Sequence, residues 1–200
     1  MWLRIIILFS YLVVTAQSGS AQVVNTVNRR LTLDSIYHLN EAPGSGLIWF
    51  KNKFSYKTFA NGTIEFDARG RDVLQKSFIG FAFHGVNDTT YDAIYFRPFN
   101  FKAAEEIRQK HSVQYISMPN YDWEILRNEH PDKYENKITP APAPEDWFHV
   151  KIVVEWPMVT VYVNGGQVLS VQQLSEQKKG RYGFWVGYNS PGDFKNLQIK

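Results

Sequence analysis

The sequence predicts an all-β sandwich of two antiparallel sheets with short helical insertions, and three observations carry that expectation. Segments rich in β-branched and aromatic residues recur every 8 to 12 residues or so, with turn signals between them. Asn164-Gly165 separates "VTVYV" from "QVLSV", and this dipeptide tolerates the positive φ of a type I′ hairpin turn. The chain has 200 residues and no cysteine, enough for one domain stabilised by its core rather than by disulfides.

Taken in order, the first 21 residues have the anatomy of an export signal. One basic residue, Arg4, precedes an apolar run from Ile5 to Val14, and small residues suited to cleavage follow, Ala16/Ser18 or Gly19/Ala21. The run is short for a membrane span. The expectation is a signal peptide over 1–21 and a single sandwich domain over 22–200, periplasmic or secreted, with no membrane span after cleavage. Strands are expected at "RLTLDSIY", "GLIWFKNKF", "GTIEFDARG", "SFIGFAFH", "YDAIYFRP", "SVQYISM", "FHVKIVVEW", "TVYVNG", "QVLSV", "RYGFWVGYN" and "FKNLQIK". Two stretches interrupt the rhythm, "KAAEEIRQK" and the longer "YDWEILRNEHPDKYENKITPAPAPEDW". The second starts helix-like and ends in an extended, proline-alternating run, read as a long loop inside the domain.

Period-2 alternation then assigns faces. Ile64, Phe66 and Ala68 form one set in "GTIEFDARG", leaving Glu65, Asp67 and Arg69 opposite. In "SFIGFAFH", Ile79, Phe81 and Phe83 face a core, so Gly80, Ala82 and His84 face away, as do Ala93, Tyr95 and Arg97 on the next strand. In "RYGFWVGYN", Tyr182, Phe184, Val186 and Tyr188 alternate with Gly183, Trp185 and Gly187, which clears space around Trp185. Small residues at the middle and His, Tyr, Arg and Trp at the margins suggest the floor and rim of a groove. Trp185 could stack on a pyranose ring or simply pack under a loop. The candidate ligand-binding set is Glu65, Arg69, His84, Tyr95, Arg97 and Trp185.

Glu65 and Asp67 are the catalytic candidates, with His84. Their Cβ atoms should lie roughly 6.5 to 7 Å apart along the strand, within the span of about 5 to 9.5 Å that glycosidase carboxyl pairs use. The same E-x-D pattern also suits a solvated strand face. Asp88, Asp92 and Asp193 lie in turns where a structural Ca²⁺ could gather oxygens, although Asp is an ordinary turn residue. The five histidines show no zinc spacing, and no nucleophile elbow, P-loop or dinucleotide fingerprint is present. Lys and Arg are scattered among acids at a net charge of +3, which disfavours a nucleic-acid partner.

The segments "NGTIEFDARG", "SFIGFAFHG", "YDAIYFRPFNF", "DWFHVKIVVEWPMVTVYVNG" and "GRYGFWVGYNSPGDFKNLQIK" resemble the concanavalin A-like lectin/glucanase superfamily, in particular exported laminin-G-like and 3-keto-disaccharide-hydrolase-like bacterial domains. The resemblance implies a jelly roll whose concave face binds saccharides, with calcium in some members. Laminarinase-type members carry a third acid after E-x-D. Here that position falls on Arg69 or Gly70, so their mechanism does not transfer. The resulting expectation is a glycan-binding, lectin-like protein taking a poly- or oligosaccharide, with no other cofactor. The alternatives are a glycoside hydrolase or 3-keto-glycoside-cleaving enzyme, and a laminin-G-like protein-interaction module.

Overall fold

The computed structural model describes residues 36–39, 46–187 and 189–200; the expected signal peptide and Tyr188 lie outside the described residues. In chain order the strands are β1 (Tyr37–Leu39), β2 (Gly46–Trp49), β3 (Thr58–Phe59), β4 (Gly62–Arg69), β5 (Ile79–Asn87), β6 (Thr90–Phe96) and β7 (Val113–Met118). They continue with β8 (Glu135–Asn136), β9 (Phe148–Glu155), β10 (Met158–Val163), β11 (Gly166–Gln172), β12 (Gly180–Val186) and β13 (Gly192–Ile199). Two short helices, α1 (Glu106–Gln109) and α2 (Trp123–Glu129), flank β7.

The strands form two antiparallel sheets. The first has the order β1-β13-β4-β9-β10-β11, and the second β2-β12-β5-β6-β7-β8, with β3 also pairing β12. Strands distant in sequence lie side by side, as β4 does with β9 and β13, so the proline-rich loop leads back into a sheet begun before it. The Asn164-Gly165 turn has φ values of 49° and 86°, and Val163 pairs Gly166 across it, which is the geometry that dipeptide suits.

Between the sheets the apolar sets interleave. Phe66 of the first sheet stacks on Phe81 of the second at 5.4 Å, and Phe194 stacks on Phe184 at 4.3 Å. All four rings are fully buried, each contributing about 1.5 to 3 kcal/mol of burial free energy. The inward sets expected from alternation, Ile64/Phe66/Ala68, Ile79/Phe81/Phe83 and Tyr182/Phe184/Val186, all point here.

The outward sets separate. Glu65, Asp67 and Arg69 belong to β4 and thus to the outer face of the first sheet, whereas Tyr95, Arg97 and Trp185 belong to the outer face of the second. The sandwich core stands between them, so they do not form one groove. Alternation tells inside from outside but not which of two sheets a strand joins.

Candidate functional site

The second sheet's outer face carries a cavity of about 720 Å³, within the usual range of about 300 to 1,000 Å³ for ligand pockets. Its floor follows from the register. Trp185 pairs Gly80, Gly80 pairs Tyr95, and Tyr95 pairs Gln114, so four strands contribute one row. Gly80 has no side chain to separate its neighbours, and the Trp185 and Tyr95 rings meet across it with centroids 5.0 Å apart. Ala82 and Ala93 pair in the adjacent row and keep it low. The Trp185 indole N–H donates to the Tyr91 hydroxyl at 3.1 Å, which fixes the ring. Gly187 completes the arrangement, since a Cβ there would lie 2.6 Å from the Phe78 side chain and 2.9 Å from the Trp185 ring.

The walls come from loops and from α2. The segment before β5 contributes Leu74, Gln75 and Phe78, and the segment between β6 and β7 contributes Phe99, Asn100, Arg108 and His111. Arg108 anchors its wall by donating from Nη2 to the Phe99 carbonyl at 2.7 Å and from Nε to Asn100 Oδ1 at 3.2 Å. Helix α2 begins because Asp122 Oδ1 accepts the N–H groups of Glu124 and Ile125, both at 2.9 Å, satisfying two otherwise orphaned donors. Trp123 and Arg127 are four residues apart and share one helix face, with the guanidinium 5.2 Å from the indole ring centre. Trp123 is 47 % exposed, the most exposed aromatic among the residues that line the cavity.

Arg97, His111 and Arg127 of the lining belong to a charged network that continues outside it to Gln114 and Glu135. The Arg97 guanidinium, nearly fully buried, donates to the Tyr95 hydroxyl, to Gln114 Oε1 and to the His111 carbonyl, and lies over the Tyr95 ring at 4.7 Å. Arg127 makes a two-pronged contact with Glu135, Nε to Oε1 at 2.9 Å and Nη2 to Oε2 at 2.8 Å. Burial would raise the Glu135 carboxyl, but the Arg127 hydrogen bonds and the charges of Arg127, His111 and Arg97 outweigh it and hold its pKa below the usual range. Burial lowers the Arg97 and His111 pKa values and raises that of the Tyr95 phenol. His111 Nδ1 lies 2.8 Å from Glu135 Oε2 in a close but oblique contact. The two shifts divide the pair: Glu135 stays ionised while His111 favours its neutral form, so Arg127 rather than His111 balances the carboxylate.

Of the residues expected from the sequence, Tyr95, Arg97 and Trp185 meet in this cavity. Trp185 is only 5 % exposed, so it forms the floor and is not a free-standing platform. His84 is corrected: its φ is 51°, at an irregularity of register between Phe83 and Asn87, and this bulge turns the imidazole between the sheets. There it is fully buried, with Nε2 2.7 Å from the Ala60 carbonyl oxygen and Nδ1 3.0 Å from Gln173 Nε2. Glu65, Asp67 and Arg69 lie on the opposite face of the molecule, among their own partners. Asp67 contacts His149 Nδ1 at 2.9 Å and accepts from Asn196 at 2.6 Å, Glu65 pairs Lys200 at 3.3 Å, and Arg69 pairs Asp193 at 2.7 Å. The three catalytic candidates therefore share no cavity.

The acids considered for calcium are engaged separately. Asp88 accepts the Trp49 indole N–H at 2.7 Å, Asp193 binds Arg69 and His38, and Asp92 is buried among Tyr115, Gln173 and Ser175. Among the described residues no group of three or more His, Cys, Asp or Glu side chains is arranged to hold a metal ion.

Several residues that line the cavity or support its lining were not singled out from the sequence; Gln114 and Glu135 are supports, bonded to Arg97 and Arg127. Gln114, Ile116 and Met118 alternate with the inward Val113 and Tyr115 on β7, a signal that was legible. Trp123 and Arg127 carried the four-residue helical spacing after an Asp cap. Glu135 and His111 carried none, since only tertiary folding brings them together.

The model of the 3-keto-alpha-glucoside-1,2-lyase-like domain matches residues 34–200. No curated protein matches the chain. Among solved structures, the carbohydrate binding module CBM66 from Bacillus subtilis is similar at a TM-score of 0.58 and 14 % identity, covering 88 % of this chain and 99 % of that one. A provisionally named glycosyl hydrolase from Parabacteroides distasonis is similar at 0.51 and 16 % identity, covering 82 % and 79 %. A protein of unknown function with a galectin-like fold from Bacillus subtilis is similar at 0.53 and 14 % identity, covering 81 % and 80 %. At these identities the likeness is one of fold, the jelly-roll sandwich.

Proposed function

The chain belongs to the 3-keto-alpha-glucoside-1,2-lyase-like domain family, and from that premise we propose that the groove over Trp185 and Tyr95 binds a sugar unit of an oligo- or polysaccharide. One observation carries the reading: an aromatic floor, the half-exposed Trp123 and the guanidinium groups of Arg97 and Arg127 line a single cavity of sugar-accommodating size. Indole and phenol rings offer flat apolar surface to the C–H faces of a pyranose. Arg127, which holds Glu135 through Nε and Nη2 and not Nη1, adds fixed, directional donors for hydroxyl oxygens, while the buried Arg97 holds the Tyr95 floor in place. The fold neighbour named as a carbohydrate binding module supports the same reading. Export to a compartment where such glycans occur is part of the proposal.

Two-carboxylate hydrolysis is disfavoured by the wall itself. Such enzymes set two carboxyl groups around the scissile bond. Asp122, the acid at this cavity wall among the described residues, spends Oδ1 on capping α2.

A second reading rests on His111, whose burial-lowered pKa leaves it neutral beside Arg97 and Arg127. On a 3-keto-glucoside, the sugar class in the family's description, a neutral imidazole could take the C2 proton. The electron pair would enter the C1–C2 bond as the C1–O bond breaks, and the departing oxygen would gain a proton. A glycan array combined with product analysis, including 3-keto-glucosides, separates the readings. Retention without products supports binding; an unsaturated sugar product that disappears in His111→Gln supports the lyase. Silence on every glycan would leave the protein-interaction alternative.

A further inference from the structure

The segment joining β2 to β3 reads "KNKFSYK" over 51–57, with three lysines and no acid. It is tightly built. Asn52 Oδ1 accepts the N–H groups of Phe54 and Ser55 at 2.9 and 2.8 Å, Asn52 N–H donates to the Ser55 carbonyl, Lys57 N–H donates to that of Phe50, and Lys51 bridges Tyr56. What this fixed turn holds out is Phe54, 89 % exposed, with the Lys53 ammonium 5.5 Å from its ring centre. A ring held into water by a hydrogen-bonded turn has an unmet gain from burial, and something outside the described residues can supply it.

The surroundings repeat the combination of cation and exposed apolar group. Arg181 stacks on Tyr56 at 3.9 Å, and Gly180 and Arg181 pair with Phe59 and Thr58, which brings Lys178 and Lys179 to the same edge. Asn61 Oδ1 accepts the Trp156 backbone N–H at 3.0 Å, and Lys178 lies 3.7 Å over the Trp156 ring. Trp156 and Met158 are each 41 % exposed.

We propose that this edge is a contact surface for an anionic lipid bilayer. Phe54 enters the layer between headgroups and acyl chains, Trp156 lies at headgroup depth, and Lys53, Lys57 and Lys178 meet the phosphates. Both components have a role at such an interface: basic side chains are drawn to the negative surface, and an aromatic tip gains by leaving water. An acidic polysaccharide would engage the cations but would leave the apolar tip without a purpose, so the bilayer fits both.

The absence of cysteine makes the test direct. A Phe54→Cys chain carries an environment-sensitive fluorophore at the tip alone, and a Ser170→Cys chain carries it at an exposed position on the first sheet. Each is mixed with phosphatidylglycerol-containing vesicles, with pure phosphatidylcholine vesicles, and with polygalacturonate. The expected result is a blue shift at position 54 with the anionic vesicles only, and none at position 170. Reversing Lys53, Lys57 and Lys178 to Glu should weaken the vesicle affinity read from that shift about a hundredfold or more. No shift at position 54, an equal shift at position 170, an equal shift with neutral vesicles, or the same shift with polygalacturonate would overturn the proposal. Because the readout is local, an apolar N-terminus that holds the chain to the vesicle does not produce it.

Discussion

Arg97 illustrates how much one residue holds at this site. It supplies donors to Tyr95, Gln114 and the His111 carbonyl, and its charge stands 3.8 Å from Glu135. Replacing it with Ala strands buried acceptors, so a loss of about 2 kcal/mol or more is expected in denaturant unfolding. His111 makes the network sensitive to acid. Its folded-state pKa lies below that of the unfolded chain, which is about 6.5. As pH falls through 6.5 or so, the unfolded chain therefore binds a proton first and stability is lost; Glu135, also lowered, adds loss of the same sign at lower pH. His111→Gln should flatten the decline of unfolding midpoint between about pH 7 and 5 relative to the unaltered chain. An unchanged slope would show that His111 is not the group responsible.

At the scale of elements, the wall helix depends on one cap. Asp122→Ala should cost about 1 kcal/mol in stability. If α2 positions Trp123 and Arg127 for a ligand, it should also weaken glycan affinity more than it weakens the fold, which parallel unfolding and titration would reveal. The longer strands were legible in the sequence, because β-branched alternation and the Asn164-Gly165 turn are local signals, whereas the two-residue β3 and β8 carried no such pattern. Their inward faces were legible for the same reason. His84 was not, since a bulge adds a residue to the count and reverses every later side-chain direction until the register recovers. Nor was the separation of Glu65 from Trp185, because sheet membership follows from pairing between strands far apart in sequence.

For the whole molecule, the consequence is two outer faces with different chemistry, held apart by one aromatic core. Phe81→Ala, in the middle of that core, should cost about 3 to 5 kcal/mol. The first sheet's face carries the solvated pairs Glu65–Lys200, Asp67–His149 and Arg69–Asp193, where single changes should move stability by less than about 1 kcal/mol. The second sheet's face carries the floor and walls of the groove and its charged network. The resemblance seen in the sequence was thus informative about the sandwich, while placement of the site required knowing which sheet each strand joins. The most direct test of that placement is calorimetric titration of one responding glycan into Trp123→Ala and Glu65→Gln side by side. The account predicts at least about tenfold weaker binding for Trp123→Ala, the scale of a lost aromatic contact, and affinity unchanged within about twofold for Glu65→Gln. Weakened binding in Glu65→Gln with Trp123→Ala unaffected would place the sugar on the first sheet and contradict it.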